Sequence, residues 1–518
     1  MKTLILCIQI FTTTIMLMTA AQAQEPIYWD VIQKIRVEGL KRSQIMKTAS
    51  YITDVYGPRL ANSPSYQRAA EWAKQQFEEY GLLNVHLDSY GEFGVTWSNE
   101  YTSVHMMTPQ YMPVIAYPNT FSFGTNRKVR GPVVYINFAE ISSRKDLNVF
   151  KGELHDAIVF IEPKVEMKPH FEPIAVRYTR DQLDDMSKAN IARPGLNQNR
   201  PDHVPQTLPR KEIIDFLFSE GTATIVSPDR RGDYGTVTVN EVPGRAWEGM
   251  DSIHPPYLVM AGEHYNRIMR ILEKGIDVEM EVETRVTVHA DSPEDFNVIA
   301  DLEGSDLRDE VVMIGGHFDA NSAGQGAIDN GAGSAVAMEA IRILKAIGVK
   351  PRRTIRVALW GGEEYGLYGS RGYVRKYLGD PDTQKYTAAH SKFAGYFNND
   401  TVAGKIRGIW LQENERVRPI FEAWIKPFND LRMTHISPNN SPGSDHNSFD
   451  AVGLPGFRFI QDDIERRAYH TNMDTYDRYV PQDLMQAAVI MASFAYHTAM
   501  RSEKLPRIAP SGERTNVQ

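Results

Sequence analysis

Five short clusters in the second half of the chain hold the residues best suited to chemistry. They are Gly315-Gly316-His317-Phe318-Asp319, the stretch from Gly326 to Gly333 around Asp329-Asn330, Gly361-Gly362-Glu363-Glu364-Tyr365-Gly366, Asn398-Asn399-Asp400, and Tyr469-His470-Thr471-Asn472-Met473-Asp474-Thr475. Two imidazoles and several carboxylates without a cysteine form a nitrogen–oxygen donor set. Such a set suits Zn2+, with Mn2+ or Co2+ as substitutes. Three protein ligands and an open position define a catalytic zinc rather than a structural one. Two ions need two such triplets, and a bridging carboxylate lets five residues serve both when the ions lie about 3.5–4 Å apart. Five candidates are present: His317, Asp329, Glu364, Asp400 and His470.

The adjacent pair Glu363-Glu364 adds a second function. Neighbouring side chains leaving a strand point in different directions, so one can bind metal while the other faces the attacking water. Zinc lowers the pKa of water to about 7, and a nearby carboxylate can take its proton. Taken singly, each cluster has an ordinary explanation. His317 could be a satisfied buried histidine, and Asp329 could cap the helix that follows. Glu363-Glu364 and Asp400 could be turn residues, and His470 a surface histidine. Their joint placement at successive strand ends argues for a site.

The elements that must position them can be read from periodicity. From residue 296 onward, strands alternate with helices. Val311–Ile314, Thr354–Trp360, Phe393–Phe397 and Gly456–Ile460 read as strands. Gly333–Ile347, Arg371–Leu378, Arg418–Phe428 and Gln482–Met500 read as helices. This predicts an α/β fold with a mostly parallel central sheet flanked by helices, whose ligands bind at the carboxyl ends of the strands. Upstream, Tyr66–Tyr80 has helical spacing after a Ser63-Pro64 start. Residues 126–258 differ: short strands at 133–136, 157–161, 222–226 and 236–239 surround an irregular Pro-, Arg- and Asn-rich excursion at 163–211. This predicts a β-rich domain inserted at 126–258 into a catalytic domain formed by 24–125 and 259–518.

Composition sets the remaining bounds. The chain has 518 residues, 57 Lys+Arg against 65 Asp+Glu, a formal net charge of -8, and 42% hydrophobic residues. That is a globular composition, neither disordered nor basic enough to favour a nucleic-acid partner. Residues 1–23 read as a signal peptide, with Lys2, an apolar stretch from Leu4 to Met18, and an Ala21-Gln22-Ala23 cleavage site. Cys7 is the sole cysteine and lies within it, so the processed chain has no thiol. An exported chain without disulfides predicts a periplasmic or extracellular location with no membrane attachment after processing. A peptide is the expected partner, and self-association is left open.

The motifs Gly315-Gly316-His317-x-Asp319, Gly326-Ala327-x-Asp329-Asn330-Gly331-Ala332-Gly333 and Glu363-Glu364-x-Gly366-Leu367-x-Gly369-Ser370 resemble those of the co-catalytic zinc exopeptidases. That family includes bacterial leucyl aminopeptidases, carboxypeptidase Q and glutamate carboxypeptidase II. Ala323-Gly324-Gln325-Gly326-Ala327 resembles the carboxypeptidase Q branch most. The resemblance implies two zinc ions: His317 and Asp400 on one, Glu364 and His470 on the other, and Asp329 bridging. It implies Glu363 as general base, Asp319 as the residue orienting His317, and a protease-associated character for the insertion. The implied activity is hydrolysis of dipeptides or short peptides. Alternatives on the same fold are a one-zinc acyltransferase similar to glutaminyl cyclases and a non-catalytic receptor-like relative. Two departures stand out. Ser441 occupies the place, three residues before Ser444-Asp445, where secreted aminopeptidases carry an oxyanion-stabilising tyrosine, so that group either comes from elsewhere, with Tyr469 as one candidate, or is absent. Asn330 stands where many members have a second Asp. Arg458, Arg466 and Arg467 lie near His470 in sequence and are candidates to hold a substrate carboxylate.

Overall fold

The computed structural model describes residues 25–189, 207–242, 247, 249, 255–290, 294–401, 403–464 and 466–511. The expected signal peptide, with Cys7, lies outside the described residues.

Two eight-stranded sheets organise the chain. The central one runs, in spatial order, Leu83–Glu92, Glu294–Leu302, Arg353–Trp360, Leu307–His317, Phe393–Asn398, Gly456–Gln461, Ile406–Trp410 and His435–Ser437. Its middle four strands, Arg353–Trp360 through Gly456–Gln461, are parallel. Antiparallel pairings join the flanking strands to them on both sides. The expected parallel sheet is thus parallel where the site lies and mixed overall.

The middle strands read as near-continuous apolar runs because both of their faces are buried. Val312 and Ile314 face one core with Val357, Phe397 and the helices Ala332–Ala346 and Pro481–Met500. Met313 faces the opposite core with Ala358, Trp360, Tyr396 and Phe449. Full burial of each large apolar side chain contributes about 1.5–3 kcal/mol. The Pro64–Glu79 helix starts as expected, with the Ser63 hydroxyl accepting the Tyr66 N–H (3.2 Å) and Pro64 at the first helical position. The helix expected over Arg418–Phe428 ends at Ile425 and continues as a 3-10 turn, Lys426–Leu431, where Pro427 has no N–H to donate.

The second sheet runs Met112–Pro113, Thr96–Thr108, Glu279–His289, Val129–Tyr135, Ile158–Phe160, Thr224–Pro228, Tyr257–Met260 and Ala116–Pro118. It draws on residues 96–289, wider than the 126–258 expected for an insertion, because Thr96–Thr108 and Glu279–His289 pair along their length and extend it. The segment expected to be a strand at 236–239 joins no ladder. It makes an isolated antiparallel bridge, Thr238 to Thr471, and so reaches across to the loop that carries His470. Among the described residues, no helix is long and apolar enough to cross a membrane.

Candidate metal centre

Each candidate donor leaves the carboxyl edge of the central sheet or the loop beyond it. His317 is the last residue of Leu307–His317, and Asp400 follows Phe393–Asn398 by two residues. Glu363 and Glu364 lie in the turn after Arg353–Trp360, Asp329 in the turn before Ala332–Ala346, and His470 in the loop after Gly456–Gln461.

The five donors meet as two overlapping triplets that share Asp329. His317, Asp329 and Asp400 form one, and Asp329, Glu364 and His470 the other; within each, the donor atoms lie within 4.8 Å of one another. Asp329 Oδ1 is 3.0 Å from His317 Nε2, while its Oδ2 is 2.9 Å from His470 Nε2. Asp400 Oδ1 is 3.5 Å from His317 Nε2, and Glu364 Oε2 is 3.0 Å from His470 Nε2.

The residues fit a metal on their own geometry. Asp329 Oδ2, Glu364 Oε1 and His470 Nε2 are buried and make no hydrogen bond. Buried polar atoms are rarely left unpaired, and donors so close without hydrogen-bond alignment are arranged as a cation's ligands are. Electrostatics agree. Burial lowers the pKa of His470, but the carboxylates of Glu364 and Asp329 outweigh it and raise the imidazole to about 11. Burial likewise opposes protonation of His317, yet Glu363 and the surrounding carboxylates raise it well above the ordinary value. Carboxylates dominate the pocket, and cations bound to neutral imidazoles would balance them.

Neighbouring groups explain how the donors are held. His317 Nδ1 lies 3.1 Å from the Asp319 main-chain oxygen, which directs Nε2 toward Asp329. The Asp319 carboxylate, 3.5 Å from the same Nδ1, accepts the N–H groups of Glu363 (3.1 Å) and Glu364 (3.2 Å). It therefore ties the first donor to the double-glutamate turn. Gly361 permits that turn to sit against Tyr66, because a Cβ there would lie 2.5 Å from the phenol oxygen. Capping of the Ala332–Ala346 helix, an ordinary role for Asp329, falls to Asn330. Its Oδ1 accepts the Gly333 N–H (2.8 Å) and its Nδ2 donates to Asn399 O (2.9 Å). An aspartate at 330 would keep the first bond and lose the second.

Three further groups carried no role in the sequence reading. Arg59, fully buried, donates to the carbonyls of Ile52, Phe318, Gln325 and Gly326, and so joins the loops of His317 and Asp329. Asp474 accepts the N–H groups of Ile328 (2.5 Å) and Asp329 (3.3 Å). Its place at the end of the fifth cluster was the only signal. Val239, from the second-sheet region, donates its N–H to His470 O (3.1 Å) and thereby helps hold a histidine whose φ is +58°.

The groups around the opening are placed as follows. Glu363 keeps partial exposure to solvent. Burial and its acidic neighbours, Asp400 among them, raise its carboxyl well above the ordinary value against the pull of His317. Tyr469 stacks on His470 with centroids 4.3 Å apart, and the Asp329 charge is the largest cause holding its phenol protonated. The Ser441 main chain is bound by Gln412 and His446. Arg458 approaches Asp400, whereas Arg467 pairs with Asp233 at 3.5 Å.

A sheet whose carboxyl edge presents overlapping imidazole–carboxylate triplets beside a further carboxylate defines a metal-dependent hydrolase. Comparison with known proteins makes the class specific. Residues 297–495 match the model of Peptidase family M28. Carboxypeptidase Q of Homo sapiens is 24% identical over 481 residues, which is 92% of this chain and 89% of that protein. Leupeptin-inactivating enzyme 1 of Streptomyces exfoliatus is 33% identical over 162 residues, 31% of this chain and 34% of that protein. Among solved structures, a Peptidase M28 precursor from Shewanella amazonensis SB2B superposes with a TM-score of 0.63 at 22% identity, covering 93% of this chain and 99% of that one. The zinc aminopeptidase BSAP from Bacillus subtilis gives a TM-score of 0.54 at 17% identity, covering 90% and 97%. These two structures establish the fold.

Proposed function

We propose that the chain is an exported zinc exopeptidase that hydrolyses dipeptides or short peptides with two ions at one site. His317 and Asp400 would hold one ion, Glu364 and His470 the other, and Asp329 both. The observation that carries this reading is the division of Asp329 between the two histidines, one carboxylate oxygen toward each. When bound, the ions supply Lewis acidity, lowering the pKa of water and polarising a carbonyl.

The protein's own groups do the remaining work. Glu363 takes the proton of the attacking water and passes it to the leaving amine, a role that its nearness to both triplets and its partial exposure support. Asp319 holds the main chain of Glu363 and Glu364, so the base and a ligand keep a fixed offset. Tyr469, stacked on His470, is the phenol available to donate toward an oxyanion in place of the residue that Ser441 replaces. The whole length similarity to carboxypeptidase Q supports small peptides as substrates, and the pattern of residues 1–23 supports export.

A panel of free dipeptides, N-blocked dipeptides and aminoacyl anilides, assayed with and without a chelator, tests the reading. The expected result is chelator-sensitive hydrolysis of free dipeptides, restored by zinc. Hydrolysis that survives metal removal, or none on any member of the panel, overturns it. A mature N-terminus at Gln24 would be the outcome for export.

A further inference from the structure

Arg458 sits on Gly456–Gln461 opposite Asn398 in register, at the carboxyl edge of the sheet and one strand away from Asp400. Its side chain is 16% exposed. Only Nε is engaged, donating to Thr401 Oγ1 at 3.1 Å. Nη2 is 3.8 Å from Asp400 Oδ2, too far for a hydrogen bond. Neither terminal nitrogen has a hydrogen-bond acceptor among the described residues, so a largely buried guanidinium keeps four N–H bonds free beside the first triplet. Structural arginines are satisfied differently in this molecule: Arg59 is spent on four carbonyls and Arg356 on both oxygens of Asp301.

We propose that Arg458 receives the free α-carboxylate of the peptide's C-terminal residue, so that the site selects short peptides with an unblocked end. This rests on the function proposed above. The reasoning is one of charge and shape. Two divalent ions would only offset the four carboxylates around the opening, those of Asp329, Glu364, Asp400 and Glu363, so a cation of the protein's own is what would attract a further carboxylate. Among the described residues, Arg458 is the one arginine or lysine within ion-pair distance of any of the five donors. A guanidinium presents paired N–H bonds that match a carboxylate in a fork, which an ammonium cannot do. Arg458 lies on the Asp400 side, so the carboxylate would project past the His317–Asp400 triplet while the scissile bond lies over the shared Asp329. A free carboxylate held there makes Arg458 a specificity-determining residue.

The test compares Ala-Leu with Ala-Leu amide, which differ in that carboxylate alone, on zinc-loaded wild type, Arg458→Lys and Arg458→Gln. For Arg458→Gln, kcat/KM on Ala-Leu should fall about 100-fold, mostly through KM, the scale of losing hydrogen bonds to a charged group. The amide should change less than about 3-fold, and Arg458→Lys should recover part of the loss. An equal fall on both substrates means that Arg458 only steadies Asp400, and it overturns the proposal. A second arm uses calorimetry of the same two compounds on Glu363→Gln, with and without Arg458→Gln. Ala-Leu should bind at least about 10-fold tighter than its amide only while Arg458 is present. Equal binding, or binding of neither, overturns the proposal. Carboxylate-dependent binding in a wild type that hydrolyses neither compound would sink the peptidase reading while leaving the Arg458 assignment in place.

Discussion

The carboxyl edge of the central sheet and the second sheet meet at one site and contribute to it differently. The edge supplies every donor side chain: His317, Asp329, Glu364, Asp400 and His470 all leave it or the loops beyond it. The second-sheet region supplies main-chain bonds. Val239 N–H donates to His470 O (3.1 Å), Asn472 N–H donates to Val237 O (3.0 Å), and Val237 N–H reaches the Asn472 side chain (2.7 Å). It also packs Trp247 and Phe121 against Tyr365, the residue after Glu364, where they meet Phe93 from just past the end of Leu83–Glu92. One region therefore brings the chemistry, and the other fixes the pose of one ligand. Substitutions in the two should fail in different ways.

The largest effect belongs to the edge. Glu363→Gln should lower kcat by about 10²–10⁴-fold, the range for a general base, with the metal content unchanged. Steady-state kinetics alongside elemental analysis check both halves of that statement. Arg59→Met should cost about 3–5 kcal/mol, because it removes a buried guanidinium that donates to the carbonyls of Ile52, Phe318, Gln325 and Gly326. Urea unfolding measures it, and a loss below about 1 kcal/mol would remove Arg59 as the tie between the His317 and Asp329 loops.

Acid sharpens the comparison at a point far from the edge. His497, on Pro481–Met500, accepts the Tyr28 N–H at Nε2 (3.3 Å), its Nδ1 faces Ser493 O (2.7 Å), and burial holds its pKa down, at about 4. In the unfolded chain the same imidazole binds a proton below about pH 6.5. The unfolded state therefore gains protons first as pH falls from 6.5 toward 4, and stability is lost in that window and intact above it. The loss should be about 2 kcal/mol at pH 5. Urea midpoints of wild type and His497→Gln between pH 5 and 7.5 should differ by that slope.

Val239→Pro removes the N–H that holds His470, from the other region. Zinc affinity should fall by about tenfold, the worth of one hydrogen bond, while the sheet edge is untouched. Zinc titration against a competing chelator reads it, and unchanged affinity would show that the second sheet is a neighbour rather than a support. Arg177→Ala should have the smallest effect. Arg177 reaches from the 163–189 excursion to the buried Asp462 (2.9 Å) and Asp483 (2.6 Å). It is 43% exposed, and Arg407 and Lys405 also serve those carboxylates. About 1 kcal/mol is expected, with faster hydrogen exchange confined to the excursion.

The same division decides what was legible in the sequence. His317, Asp329, Glu364, Asp400 and His470 stood out because each is a metal-ligand type in a polar or glycine-rich cluster that follows an apolar strand-like run, and strand ends converge in a parallel sheet. Asn330 was legible as a departure, though its work in capping Gly333 was not. The contribution of Val239 left no trace: a valine N–H has no side-chain signature, and its acceptor lies more than two hundred residues away. The strand expected at 236–239 failed for that reason, since its partners belong to the His470 loop rather than to its own sheet. Arg59 and Asp474 were hidden likewise, because each acts on backbone groups that any residue type would present.

The claim under all of this is that Asp329 joins two triplets into one centre. Calorimetric zinc titration of chelator-treated, full-length protein tests it directly. The account predicts two ions per chain in wild type and a drop toward one or none in Asp329→Ala. A single ion in wild type, or two retained in the variant, would contradict it.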